Sequence, residues 1–180
     1  MTDNESFTEL ITTTYLRDFG IAVDFEGALL TGPGSEPPLW LCTCILELIS
    51  NCQAFRNTDD IAFAKGTHNT NTEELQKAAT HQQAELNRRA GYRISVRAGN
   101  HSVRVEDNFV HSDPETAMSE IRQAVLSPNP YTTKQRPGGC GIFTLKKELA
   151  KRNGNLEYQK IGRRIVASIK WQEPLQTLEV

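Results

Sequence analysis

Apolar positions recur along this chain in two rhythms, a helical one of three to four residues and a strand one of two, and their order predicts the elements. Phe7, Leu10, Ile11, Tyr15 and Leu16 fall at helical spacing, Gly20 ends that helix, and Ile21-Ala22-Val23-Asp24-Phe25-Glu26 alternates as a strand does. Gly32-Pro33-Gly34-Ser35-Glu36-Pro37-Pro38 is a loop by composition. Pro38 can open the next helix, in which Leu41, Cys44, Ile45, Leu48 and Ile49 share one apolar face, so this is expected to be a central helix. Asn71 with Glu74 makes a capping box for a helix running to about Ala90, with Gly91 as its stop. The apolar face of that helix is weak (Leu75, Ala78, Ala79, Leu86), which marks residues 57–90 as a helical insertion on the surface.

Tyr92, Ile94 and Val96 alternate, Gly99-Asn100 supplies a turn, and Val103 and Val105 alternate again, which predicts a hairpin ending at Glu106-Asp107-Asn108. Asp113-Pro114 starts a helix with Ala117, Ile121, Ala124 and Val125 on one face, and Pro128 and Pro130 bar its continuation. Gly138-Gly139-Cys140-Gly141 opens a helix from about Ile142 to Arg152, stopped at Asn153-Gly154. Leu156 and Tyr158, then Ile165, Ala167 and Ile169, form a closing pair of strands around Gly162. This order predicts an α+β two-layer sandwich, a mixed β-sheet with helices on one face. At 180 residues the chain buries one sizeable core, so residues 1–180 are read as one domain.

Charge and composition remove several functions. With 20 Lys+Arg against 22 Asp+Glu the net charge is −2, and no polybasic field for nucleic acid or anionic lipid results. Cys42, Cys44, Cys52 and Cys140 lack the spacing of a zinc ribbon or a redox dithiol, and His68, His81, His101 and His111 complete no ligand cluster with them. Reduced, mostly buried thiols are expected. The most apolar run, Leu39 to Ile49, is shorter than a bilayer span and interrupted by Glu47, so it reads as a core helix. With no charged-then-apolar leader at the N-terminus, a cytoplasmic protein without direct membrane insertion is expected.

Four local features carry candidate chemistry. Glu47 and Asn51 stand four apart and share a helix face, where a carboxylate suited to proton work would sit beside an amide oxygen suited to Mg²⁺. Alone, the pair is weak evidence and reads first as the polar edge of an amphipathic helix. Asp107, at a strand end before Asn108, offers an acceptor for an adenine amino group or simply a strand-ending turn. Asn129-Pro130-Tyr131-Thr132-Thr133-Lys134 can bring hydroxyls and an ammonium towards phosphate, as any surface loop of that composition can. Gly138-Gly139-Cys140-Gly141 directly before a helix lets backbone amides and the positive helix end approach a phosphate chain; a tight turn is the plainer alternative.

In this order, Leu46-Glu47-Leu48-Ile49-Ser50-Asn51, the adenine-reading aspartate, Pro130-Tyr131-Thr132-Thr133-Lys134 and the glycine box resemble the motif series of the histidine-kinase-like (GHKL) ATPases, over about Phe7 to Trp171. The resemblance is to the catalytic ATP-binding domain of a sensor histidine kinase, and it implies a Bergerat-type fold that binds ATP and Mg²⁺. By that likeness Glu47 polarises the attacking group, Asn51 holds Mg²⁺ and Asp107 reads adenine. Gly138, Gly139 and Gly141 cradle phosphates, and Thr133 and Lys134 close over the triphosphate. Two departures stand out. Asn108-Phe109-Val110-His111 replaces the family's usual glycine pair, so that Phe109 either covers the purine or plugs its pocket, and the stretch from Asn57 to Ala90 exceeds the usual connection. No histidine precedes the Asn-containing helix, so the phosphoacceptor histidine is expected on a separate domain, with a response regulator as further partner and any homodimer formed through other segments. A free-standing anti-sigma-type serine kinase and a nucleotide-free interaction module are the alternatives within the same likeness.

Overall fold

The computed structural model describes residues 6–31, 37–64, 73–128 and 141–172. Helix α1 (Phe7–Thr14) begins at a reciprocal cap, in which Ser6 Oγ accepts the Glu9 N–H and Glu9 Oε2 accepts the Ser6 N–H. It runs on into a π-helical turn, Tyr15–Phe19, and stops at Gly20 in the left-handed conformation with φ 66°. Strand β1 (Ala22–Glu26) follows, then a single turn α2 (Ala28–Thr31), the long α3 (Leu39–Ala64) and α4 (Glu73–Arg89). Strands β2 (Arg93–Gly99) and β3 (Ser102–Asp107) form a hairpin. Helix α5 (Pro114–Leu126) starts at Asp113, whose carboxylate accepts the Thr116 N–H. The chain closes with α6 (Gly141–Ala150) and the hairpin β4 (Asn155–Ile161) and β5 (Arg164–Lys170).

The five strands make one mixed sheet in the order β1-β2-β3-β5-β4, as the α+β reading requires. Only β1 and β2 run parallel, and a parallel pair needs a crossover, which α2, α3 and α4 supply. The strand period then separates the faces. Ile94, Val96, Val103, Val105, Ala167 and Ile169 are buried on the inner face. On the other face Arg97 pairs with Glu26 at 3.0 Å and Glu106 at 2.7 Å, Arg104 with Glu106 at 2.9 Å, and Arg93 with Asp24 at 3.3 Å. These pairs are mostly solvent-exposed and add little stability, but they keep that face wet.

The inner face is covered by α3, whose Leu41, Cys44, Ile45, Leu48 and Ile49 are buried, and by α6 through Leu145 and Leu149. A smaller cluster of Met118, Ile121 and Ile165 seats α5 against the β4–β5 hairpin. Residues 57–64 continue α3 and residues 73–89 form α4. The C-terminal turns of α4 are fixed to the end of the first helix by polar contacts rather than by an apolar stripe. Asn87 is buried and its Nδ2 donates to the Phe19 carbonyl at 2.7 Å, while Arg88 Nη2 donates to the Arg17 carbonyl at 2.9 Å. Among the described residues no helix is long and apolar enough to cross a membrane.

Candidate active site

Because helix α3 turns 100° per residue, Glu47 and Asn51 project from it one above the other, towards the start of α6. Asn51 is buried; its Nδ2 donates to the Tyr158 hydroxyl of β4 at 3.4 Å. Its Oδ1 and the Glu47 carboxylate converge on Gly141, the first residue of α6. A Cβ at Gly141 would stand 2.5 Å from Glu47 Oε2 and 3.3 Å from Asn51 Oδ1, so only glycine fits without moving the carboxylate. Two side-chain oxygens thus face a helix N-terminus, where free amide N–H groups and the helix dipole favour negative charge.

Asp107 closes β3 and lines a small cavity together with Asn51, Cys52, His111 and Tyr158; Asn51 is the residue this cavity shares with the meeting at Gly141. Its carboxylate is buried and already occupied. Oδ2 accepts the Tyr92 hydroxyl at 3.2 Å, Oδ1 accepts the Phe109 N–H at 3.1 Å, and the Cys52 thiol donates to it as well. Burial raises the Asp107 carboxyl from 3.8 to about 6, against the pull of these hydrogen bonds. Burial and the neighbouring Asp107 charge likewise push the Cys52 thiol well above its ordinary value, so it stays a neutral donor. Tyr158 is raised by burial too.

This arrangement predicts a pH dependence of stability. The folded state holds the Asp107 proton more tightly than the unfolded chain, whose carboxyl titrates near 3.8. The contribution of Asp107 is therefore fully favourable below about pH 4, declines by up to about 1.4 kcal/mol per pH unit as the pH rises towards 6, and is level above it. Urea unfolding of wild type and Asp107→Asn between pH 4 and 7 checks this, because the difference between the two isolates the one carboxyl. A difference that does not change with pH would contradict it.

Of the residues singled out in the sequence, Glu47, Asn51 and Gly141 meet, and Asp107 shares the cavity with Asn51. Thr133, Lys134, Gly138 and Gly139 lie outside the described residues. Tyr92, Cys52, His111 and Tyr158 were not singled out for the site. Cys52, Tyr92 and Tyr158 sit in strand or helix patterns that a core residue would fit equally well, and His111 lies in the segment between β3 and α5, where no pattern marks it. Among the described residues no group of three or more His, Cys, Asp or Glu could hold a metal ion.

The chain is similar to catalytic domains of histidine kinases. The catalytic domain of histidine kinase ThkA matches at 14% identity over 97% of this chain and 93% of that one, with a TM-score of 0.49. The mycobacterial sensor histidine kinase MprB matches at 12% identity over 93% and 94%, with a TM-score of 0.48. The histidine kinase domain of the E. coli osmosensor EnvZ matches at 14% over 97% and 86%, with a TM-score of 0.40. No family model matches the chain, and no curated protein does. At identities this low a likeness says nothing of chemistry, which must rest on the residues of the site.

Proposed function

We propose that this chain is the Mg-ATP-binding catalytic domain of a sensor histidine kinase, donating the γ-phosphoryl group to a histidine on a separate phosphoacceptor domain. The observation that carries this reading is the convergence of Glu47 and Asn51 on Gly141, beside a cavity that ends at Asp107. The donor set suits the ligand. A hard amide oxygen next to a carboxylate, with no all-protein metal cage, is how Mg²⁺ is commonly held when phosphates complete its shell. Asn51 would take the ion, and the α6 N-terminus with Gly141, joined by Gly138 and Gly139, would receive the phosphates. Asp107, ionised for the most part at pH 7, would accept from the adenine amino group. Thr133 and Lys134 would close over the triphosphate.

When bound, Mg-ATP supplies the phosphoryl group and much of the charge neutralisation, which leaves the protein mainly positioning to do. Glu47 orients and polarises the incoming imidazole of the acceptor. The acceptor domain, a response regulator beyond it and any homodimer contacts belong to other segments or chains. The free thiols of Cys42, Cys44 and Cys52 suit a reducing compartment such as the cytoplasm.

Transfer of label from γ-labelled Mg-ATP to isolated phosphoacceptor helical hairpins tests the reading. Glu47→Gln is expected to slow transfer by about a hundredfold while leaving nucleotide affinity within about threefold. Equal transfer by wild type and Glu47→Gln would remove Glu47 from the chemistry, and labelling of serine instead of histidine would favour the serine-kinase alternative. A nucleotide-free interaction module is favoured by one observation, the small volume of the cavity beside Asp107, about 10 Å³.

A further inference from the structure

The small cavity has a specific cause in the segment between β3 and α5. Asn108 fastens one end of it. The Asn108 N–H donates to the Arg93 carbonyl at 3.1 Å, its Oδ1 accepts the Arg93 N–H at 2.9 Å, and its Nδ2 donates to the Gly91 carbonyl at 2.8 Å. The N-cap Asp113 fixes the other end. Between them the backbone turns Phe109 and His111 inward and leaves Val110 half exposed at 53%. The Phe109 ring meets Tyr92 edge-on at 6.4 Å and His111 at 5.0 Å, and the segment reaches the cavity through the His111 side chain, which lines it, and the Phe109 N–H, which occupies Asp107 Oδ1. Among the described residues the cavity beside Asp107 measures about 10 Å³, room for one water at most, and a purine is many times larger.

The middle of this segment is tied down from outside. Arg163 lies in the β4–β5 turn after Gly162, which has φ 62°. Its carbonyl accepts the His111 N–H at 2.9 Å, its Nε donates to the His111 carbonyl at 3.0 Å, and its Nη2 donates to the Ser112 carbonyl at 3.0 Å. Arg163 itself is exposed, its bond to the His111 carbonyl is partly buried and its bond to the Ser112 carbonyl lies at the surface. The Phe109 N–H on Asp107 makes the same segment compete directly with any base for that carboxylate.

We propose that Phe109–Ser112 is a strap over the base pocket, that Arg163 is its latch, and that a purine nucleotide binds the minor population in which the latch is released. This rests on the nucleotide-binding reading above. Arg163 is a positioning residue here, since it touches the strap and not the ligand. A site open for only a fraction of the time binds more weakly in proportion to that fraction, so freeing the strap tightens binding.

The test combines two readouts on the whole chain: amide hydrogen exchange at residues 109–112 without nucleotide, and calorimetric titration with a non-hydrolysable ATP analogue and Mg²⁺. Arg163→Ala is expected to speed exchange at the His111 amide by roughly tenfold and to tighten nucleotide binding by a similar factor, for the loss of two charge-assisted hydrogen bonds at an exposed site. Arg163→Lys, which keeps the charge and loses the fork, should fall between. Faster exchange with unchanged or weaker affinity in a wild type that binds would overturn the strap and leave the nucleotide reading standing. Unchanged exchange would overturn the latch. No binding by wild type or by Arg163→Ala, despite a freed strap, would overturn the nucleotide reading and the inference with it.

Discussion

Gly20→Ala is expected to destabilise the fold by on the order of 3–5 kcal/mol, read as a large drop in the urea midpoint at unchanged slope. Gly20 has φ 66°, where an L side chain costs roughly 1–2 kcal/mol by itself. The greater cost is contact. A Cβ there would stand 1.9 Å from the Ala84 carbonyl oxygen and 2.7 Å from its carbon, which are backbone atoms of α4 and cannot swing aside. Relief requires α4 to move off the first helix, breaking the Asn87 and Arg88 bonds to the Phe19 and Arg17 carbonyls. Gly91→Ala is the matched control, since Gly91 has φ 63° and nothing within 4 Å of a Cβ. It should lose only about 1 kcal/mol. Equal losses in the two variants would mean that α4 is not seated where the structure puts it.

The second large effect concerns the base. If Asp107 reads adenine, its carboxylate accepts from the exocyclic amino group, whereas guanine presents a carbonyl oxygen at the corresponding position and is repelled. Asp107→Asn exchanges one acceptor oxygen for a donor. Affinity for ATP is expected to fall by about two orders of magnitude and the preference for ATP over GTP to collapse, because a site built on one hydrogen-bond polarity discriminates strongly. The fold should survive, since the Asn amide oxygen can still accept the Phe109 N–H that Oδ1 now accepts at 3.1 Å. Competition of ATP and GTP against a fluorescent nucleotide analogue measures this. An unchanged ATP-to-GTP ratio would show that Asp107 is only a structural acceptor, for Tyr92, Phe109 and Cys52.

The parts of the fold with a clean period were legible in the sequence. The 92–107 hairpin, the closing β4–β5 pair and the apolar face from Leu41 to Ile49 alternate or recur without interruption, and each forms where its pattern predicts. The mixed sheet followed from their order. The π-helical turn at Tyr15–Phe19 and the short α2 have no pattern long enough to register. The seat of α4 was hidden for a different reason: it is made by Asn87, Arg88 and the bare backbone at Gly20, and a hydrophobic stripe is blind to all three.

The site divides in the same way. Glu47 and Asn51 were legible from helical spacing, and Gly141 from its place before a helix, although its meeting with the Glu47 carboxylate depends on how α3 packs on α6. Cys52, Tyr92 and Tyr158 serve Asp107 and Asn51 from positions that also suit a hydrophobic core, so residue type alone cannot separate the roles. His111 was read only as a histidine that completes no ligand cluster. It is buried because the Arg163 contacts hold its backbone, and those contacts join residues 52 apart in the chain.

Calorimetric titration of the whole chain with a non-hydrolysable ATP analogue, with and without Mg²⁺ and beside Asn51→Ala, tests the central claim most directly. Saturable binding that weakens at least tenfold without Mg²⁺, and that loses this metal dependence in Asn51→Ala, is the expected result. A folded wild-type chain that releases no heat with the nucleotide, alongside an Arg163→Ala variant that is equally silent, would contradict it and leave the chain as a protein-interaction module built on the same fold.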